Sequence, residues 1–217
     1  MVRGIKEAQI KRASLVFHTF LSCIDDNYRC QWFHKIIAKK CQHLIDGTLD
    51  TDRLMLFVPP QHGKSEIVSR KFPAWALGIN PALKIVGCSY SADLAQQFSR
   101  SIQRTIDSEE YGAVFPNTYL NSHNVKNDTK KGWIRNIDQF ETVGYGGFYK
   151  AVGVGGSLTG TPVDLGIIDD PIKDALEASS QTYRDRVWDW YTFKINKKNI
   201  ILHFRKLKQF TIRIIPL

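Results

Sequence analysis

Three short apolar runs bounded by turn-forming residues frame this chain. Leu54–Val58, Lys84–Cys88 and Val163–Ile168 have the length and bulk of strands buried on both faces. Elsewhere, apolar residues recur at helical spacing. Ile10, Phe17, Leu21 and Ile24 mark a helix within residues 5 to 24, and Phe33, Ile36, Ile37, Cys41, Leu44 and Ile45 mark a second, closed by Asp46-Gly47. A helix after Ser65 is expected to run to about Arg70 or Lys71, where Pro73 breaks or kinks it. Leu94, Phe98, Ile102 and Ile106 step by four along another, with Ser91 as its cap. A last helix carries Tyr183, Val187, Trp190 and Tyr191 on one face. Strand, helix, strand, helix at this spacing predicts an α/β fold, a mainly parallel sheet flanked by helices with right-handed crossovers.

The rest of the pattern is less regular. Glu109 to Lys131 is polar and rich in Asn and Asp, and reads as a long surface excursion. Short strands are expected at Trp133–Asn136 and Phe148–Val152. Glycines crowd positions 144 to 160, which fits either a mobile loop beside a ligand or a run of tight turns.

Composition narrows the class. The 217 residues, 43% apolar and 12% aromatic, suffice for one substantial globular domain. No apolar stretch approaches the roughly 20 residues needed to cross a bilayer. The N-terminus lacks the pattern of a secretory signal, so a cytoplasmic protein with no membrane partner is expected. Cys30, His34, Cys41 and His43 match no common zinc spacing, and reduced structural thiols are expected. The net charge of +9 is concentrated at the end: seven of 30 basic residues and none of 21 acidic ones lie from Lys194 onward, leaving 23 against 21 elsewhere. Basicity therefore argues only weakly for a polyanionic partner.

The chemistry lies at the ends of two of the apolar runs. Leu54–Val58 is stopped by Pro59-Pro60, followed by Gly63-Lys64-Ser65 and a helix-compatible segment. Strand, turn, Gly-Lys-Ser and helix is the arrangement of a phosphate-binding loop (P-loop), although Val58 stands where the usual motif begins with glycine. Val163–Ile168 ends in Asp169-Asp170, at the strand tip where α/β sheets hold ligands. Together they read as a P-loop nucleoside triphosphatase (NTPase). Pro60, Gln61, His62, Gly63, Lys64 and Ser65 are the candidate nucleotide-binding residues. Lys64 would contact the β and γ phosphates, Ser65 and Asp169 would hold Mg²⁺, and Asp170 would polarise the attacking water.

Val58-Pro59-Pro60-Gln61-His62-Gly63-Lys64-Ser65-Glu66 also resembles the modified phosphate loop of bacteriophage terminase large subunits. Further resemblances follow in that family's order: Trp32-Phe33-His34, the segment from Cys88 to Ala95, the glycine-rich Gly153 to Gly160, and Ile167 to Asp174 with its Asp-Asp-Pro-x-Lys ending. The resemblance covers roughly residues 30 to 193. It implies an ATPase domain that uses ATP and Mg²⁺ to drive double-stranded DNA into a procapsid in the host cytoplasm. Its implied partners are a portal protein, a small terminase subunit and sister subunits in a homo-oligomeric ring.

Three departures accompany the resemblance. Gln61 stands where relatives often have Arg, and Thr161-Pro162 where an Arg-Gly pair is frequent. Asn199 to Leu202 resembles the next strand of the family, but His203-Phe204-Arg205-Lys206 replaces the Thr-Arg-Trp-His that couples hydrolysis to movement. The expected organisation is a helical segment (1–50), an ATPase core (51–193) and a basic divergent tail (194–217), truncated before the nuclease domain, with the tail a possible frameshift product. The alternatives are an inactive nucleotide-binding remnant or another nucleic-acid translocase ATPase.

Overall fold

The computed structural model describes residues 7–123, 132–194, 200–204 and 213–216. In chain order the elements are α1 (Glu7–Leu15), α2 (Phe17–Ile24), α3 (Trp32–Ile45), β1 (Arg53–Phe57), a π-helical turn (Glu66–Lys71) leading into α4 (Phe72–Ile79), β2 (Lys84–Ser89), α5 (Ala92–Ile106) and α6 (Glu109–Val114). They continue with β3 (Gln139–Glu141), β4 (Phe148–Gly153), β5 (Leu165–Asp169), α7 (Ala175–Ser179), α8 (Gln181–Lys194), β6 (Ile200–Phe204) and β7 (Arg213–Pro216).

The strands form one sheet in the order β3-β4-β2-β5-β6-β1-β7. The five inner strands run parallel, and antiparallel β3 and β7 close the edges. Register brings Ser89 opposite Asp169, and Asp169 opposite His203. The tips of β1, β2, β5 and β6 therefore share one edge of the sheet, where ligands of open α/β sheets bind.

Alternation along the strands explains their near-continuous apolar runs. Leu54, Leu56, Ile85, Leu165 and Ile167 join a large cluster under α1 to α6. Met55, Val86, Cys88 and Ile168 face a smaller one capped by Trp190 and Tyr191 of α8. The N-terminal helices belong to the main cluster: Phe17 lies 5.2 Å from Phe72 and 5.3 Å from Trp75, ring to ring. The helix expected over residues 5 to 24 is two helices broken at Val16. Gln42 satisfies the break, accepting from Phe17 N at 3.1 Å and donating to the Leu15 carbonyl at 3.0 Å.

Other expectations change. The segment after Ser65 changes at Lys71, where expected, but Pro73 does not end it: α4 follows directly from Phe72. The Phe72 amide bonds the Ile67 carbonyl five residues back, a widened turn that seats Pro73 in the first turn of α4. A proline lacks the N–H and crowds the carbonyl four residues earlier, so a wide turn at this point relieves both faults. The excursion from Glu109 opens with α6, capped by Ser108 accepting from Tyr111 N. Residues 124–131 of that excursion lie outside the described residues. Trp133–Asn136 is not a strand. Arg135 makes an isolated bridge to Phe140, and the hairpin strand is β3. Among the described residues no helix is long and apolar enough to cross a membrane.

Candidate active site

The loop from Pro59 to Ser65 leaves β1 at the shared sheet edge and turns on two left-handed residues, Gln61 (φ 64°) and Gly63 (φ 71°). For Gln61 this conformation costs about 1–2 kcal/mol. The support comes from α3. The His34 ring accepts the Gln31 amide on Nδ1 at 3.2 Å, which fixes the neutral tautomer with the proton on Nε2. That Nε2 then donates to the His62 carbonyl at 3.1 Å. A Cβ on Gly63 would stand 3.3 Å from the same Nε2, so only glycine fits the loop against this ring without displacing it.

β5 delivers the acidic pair. Asp169 is 2% exposed and accepts from Ser69 Oγ at 2.7 Å. Asp170 turns out of the strand in the left-handed region (φ 45°), where Asp is among the better-tolerated residues. Its Oδ1 lies 3.3 Å from Lys64 Nζ, in an ion pair whose side chains are only 14% and 7% exposed. Groups 106 positions apart in sequence thus meet at the sheet edge. The Tyr90 amide bonds the Asp170 carbonyl at 3.2 Å and ties the β2 turn to the same corner.

These residues line one cleft of about 420 Å³. Pro60, Gln61, His62, Gly63, Lys64, Ser65, Asp169 and Asp170 all border it, so every candidate site residue read from the sequence comes together there. Among the described residues, the charged lining comprises two cations, Lys64 and Arg70, against three carboxylates, Glu66, Asp169 and Asp170. Such a cleft disfavours a bare polyphosphate and suits one that arrives with a divalent cation. The donors near Asp169 are hard oxygens, as Mg²⁺ requires. Among the described residues no group of three or more His, Cys, Asp or Glu could hold a metal by itself. That suits Mg²⁺, which usually takes one or two carboxylates and completes its shell with phosphate oxygens and water.

One of the two readings of the glycines drops out here. The glycine-rich stretch 144–160 does not line the cleft. Four of its glycines have positive φ and form tight turns on either side of β4, and the Gly156 carbonyl accepts from Trp190 Nε1 at 3.1 Å. All four cysteines are free thiols, and burial pushes Cys41 and Cys88 far above the usual thiol range. Burial likewise raises Tyr149, with smaller contributions from Cys88 and Asp169. Sequence reasoning missed Ser69, Arg70 and Tyr90. Ser69 and Arg70 lie in the widened turn, whose register no periodicity announces.

The family model for the N-terminal part of the terminase large subunit, T4likevirus-type, matches residues 55–196. Among solved structures, the large terminase of bacteriophage HK97 superposes with a TM-score of 0.53 at 14% identity, covering 94% of this chain. The ATPase domain of a Thermus phage large terminase gives 0.45 at 13% identity, covering 84% of this chain and 72% of that one. Comparison with curated proteins gives no match. The present chain spans 38% of the HK97 protein. With a family model covering well over half its length, this chain belongs to the terminase large subunit family, whose N-terminal part it carries.

Proposed function

We propose that this chain hydrolyses ATP with Mg²⁺ and that the energy drives double-stranded DNA into a procapsid. The observation that carries the reading is the convergence of Lys64 and Asp170 at 3.3 Å beneath the phosphate loop. Lys64 exchanges its carboxylate partner for β and γ phosphate oxygens when nucleotide enters, which frees Asp170 to orient water. Ser65 and Asp169 hold Mg²⁺, which supplies neutralisation of charge on the phosphate oxygens. The water oxygen bonds the γ phosphorus while the bond to the β–γ bridging oxygen breaks, giving ADP and inorganic phosphate. Asp170 draws off the proton of the water. Ser69 holds Asp169 in place, and His34 holds the loop.

A portal protein, a small terminase subunit and sister subunits in a ring are the partners proposed with this activity, on family membership alone. The test is phosphate release with and without Mg²⁺. Lys64→Ala and Asp170→Asn are each expected to lower turnover at least ~1,000-fold, the loss typical of a principal charge-stabilising or water-orienting group. A second reading, nucleotide binding without turnover, is favoured by Gln61, which brings no charge to the loop. Tight Mg–ATP binding by a wild-type chain that releases no phosphate would establish it.

A further inference from the structure

We propose that Arg70 is the second catalytic cation of the cleft, moving from Glu66 to the terminal phosphoryl group when nucleotide binds. This rests on the ATPase reading above and deepens it. Among the described residues lining the cleft, Arg70 is the only cation besides Lys64. Hydrolysis of a triphosphate spreads charge over the equatorial γ oxygens, and one lysine shared with the β phosphate leaves part of it uncompensated. Gln61, in the loop itself, adds no charge.

The side chain is built to reach the site. Long side chains on a helix lean toward its N-terminus, here toward the loop. Arg70 does so: its Nη1 bonds Glu66 Oε2, one turn back, at 3.1 Å. The guanidinium lies 5.6 Å from the centre of the Phe98 ring, which also borders the cleft. The side chain is 36% exposed, yet its Nε is buried and makes no hydrogen bond. A guanidinium with an unmet buried donor gains by taking a new acceptor.

Release from Glu66 is cheap because Glu66 has a second cation. Its Oε1 faces Lys71 Nζ at 3.9 Å, and Lys71 is anchored by Thr105 Oγ1 at 3.2 Å. When Arg70 leaves, Glu66 keeps a positive neighbour. The planar guanidinium fork can bind two phosphoryl oxygens at once, which a lysine at this position cannot do.

The experiment compares affinities for Mg–ADP and for Mg–ADP with fluoroaluminate, a mimic of the phosphoryl group in transfer. In the wild-type chain the mimic is expected to tighten binding ~100-fold or more. Arg70→Ala is expected to keep ADP affinity within about 3-fold while losing most of that gain, and Arg70→Lys to recover little of it. Glu66→Gln, which frees Arg70 beforehand, is expected to preserve the gain. An undiminished gain in Arg70→Ala overturns the assignment. An equal loss of ADP and mimic binding in that variant, judged folded by its thermal transition, also overturns it, because a merely structural arginine would behave that way. Failure of the wild-type chain to bind any nucleotide instead removes the ATPase reading itself.

Discussion

At its start, the helix that follows β1 carries Lys64, Glu66 and Arg70 into a polar cleft. Eight residues beyond Lys64 the same helix begins to bury Phe72 and Trp75, both at most 1% exposed, against Phe17. The polar end holds left-handed Gln61 and an ion pair shielded from water. The apolar end holds stacked rings in one continuous cluster. The widened turn at Glu66–Lys71 carries Glu66 and Arg70 of the polar end and leads straight into Phe72 of the apolar one. Strain and buried charge persist only where surrounding packing over-determines the backbone. The aromatic end supplies that constraint, and the loop end spends it on chemistry.

This contrast can be broken from either side. The largest effect is expected from Trp75→Ala, which removes a buried ring and leaves the Ala13 carbonyl without the Nε1 donor it meets at 3.1 Å. The loss is about 3–5 kcal/mol, or roughly 6–20 °C in melting temperature. Below the new transition, turnover per folded molecule should be unchanged; a drop in turnover would show that the two ends are not separable. Ser69→Ala is expected to cost about 1–3 kcal/mol by removing a buried donor to Asp169. It should also raise the Mg²⁺ concentration needed for half-maximal turnover, which a purely structural serine would leave alone.

Smaller changes sharpen the comparison. Gly63→Ala forces a side chain into the left-handed region and against His34, at about 1–2 kcal/mol. It is expected to weaken Mg–ADP binding more than it lowers the melting temperature. His18, half-buried beside α3, should matter least. Burial first, then Arg12 and Lys35, hold its pKa below the ordinary 6.5. The folded state therefore takes up that proton less readily than the unfolded chain, so stability is full above pH 6.5 and declines as pH falls below it. His18→Gln should flatten melting temperature against pH in that range, while the loop responds to neither change.

How much was legible follows the same division. β1, β2 and β5 announced themselves because strands covered on both faces need apolar residues at nearly every position. Asp169, Asp170 and Lys64 were legible because their chemistry demands those residue types at strand tips. Ser69 and Arg70 were not, since their place depends on a turn widened at Pro73, and a proline reads in sequence as a stop. α6 was overlooked in a polar stretch although Ser108-Glu109-Glu110 is a helix start; its mere six residues leave no periodicity to detect. His34 appeared only in a zinc spacing that was set aside and as part of a resemblance. Its capping bond to Gln31 and its reach to the loop need the tertiary structure to bring α3 alongside.

The position of β6 has a consequence for the order of events during synthesis. β1 and β5, which carry the two halves of the cleft, are not paired with each other; β6 lies between them and comes from residues 200–204. A nascent chain that has emerged only as far as α8 holds every described residue that lines the cleft yet has a gap in its sheet. Closing that gap requires a late strand to insert between two early ones, a pairing of large sequence separation and correspondingly slow. The sheet beneath the cleft is then completed late, by a strand that itself brings none of the site residues read from the sequence.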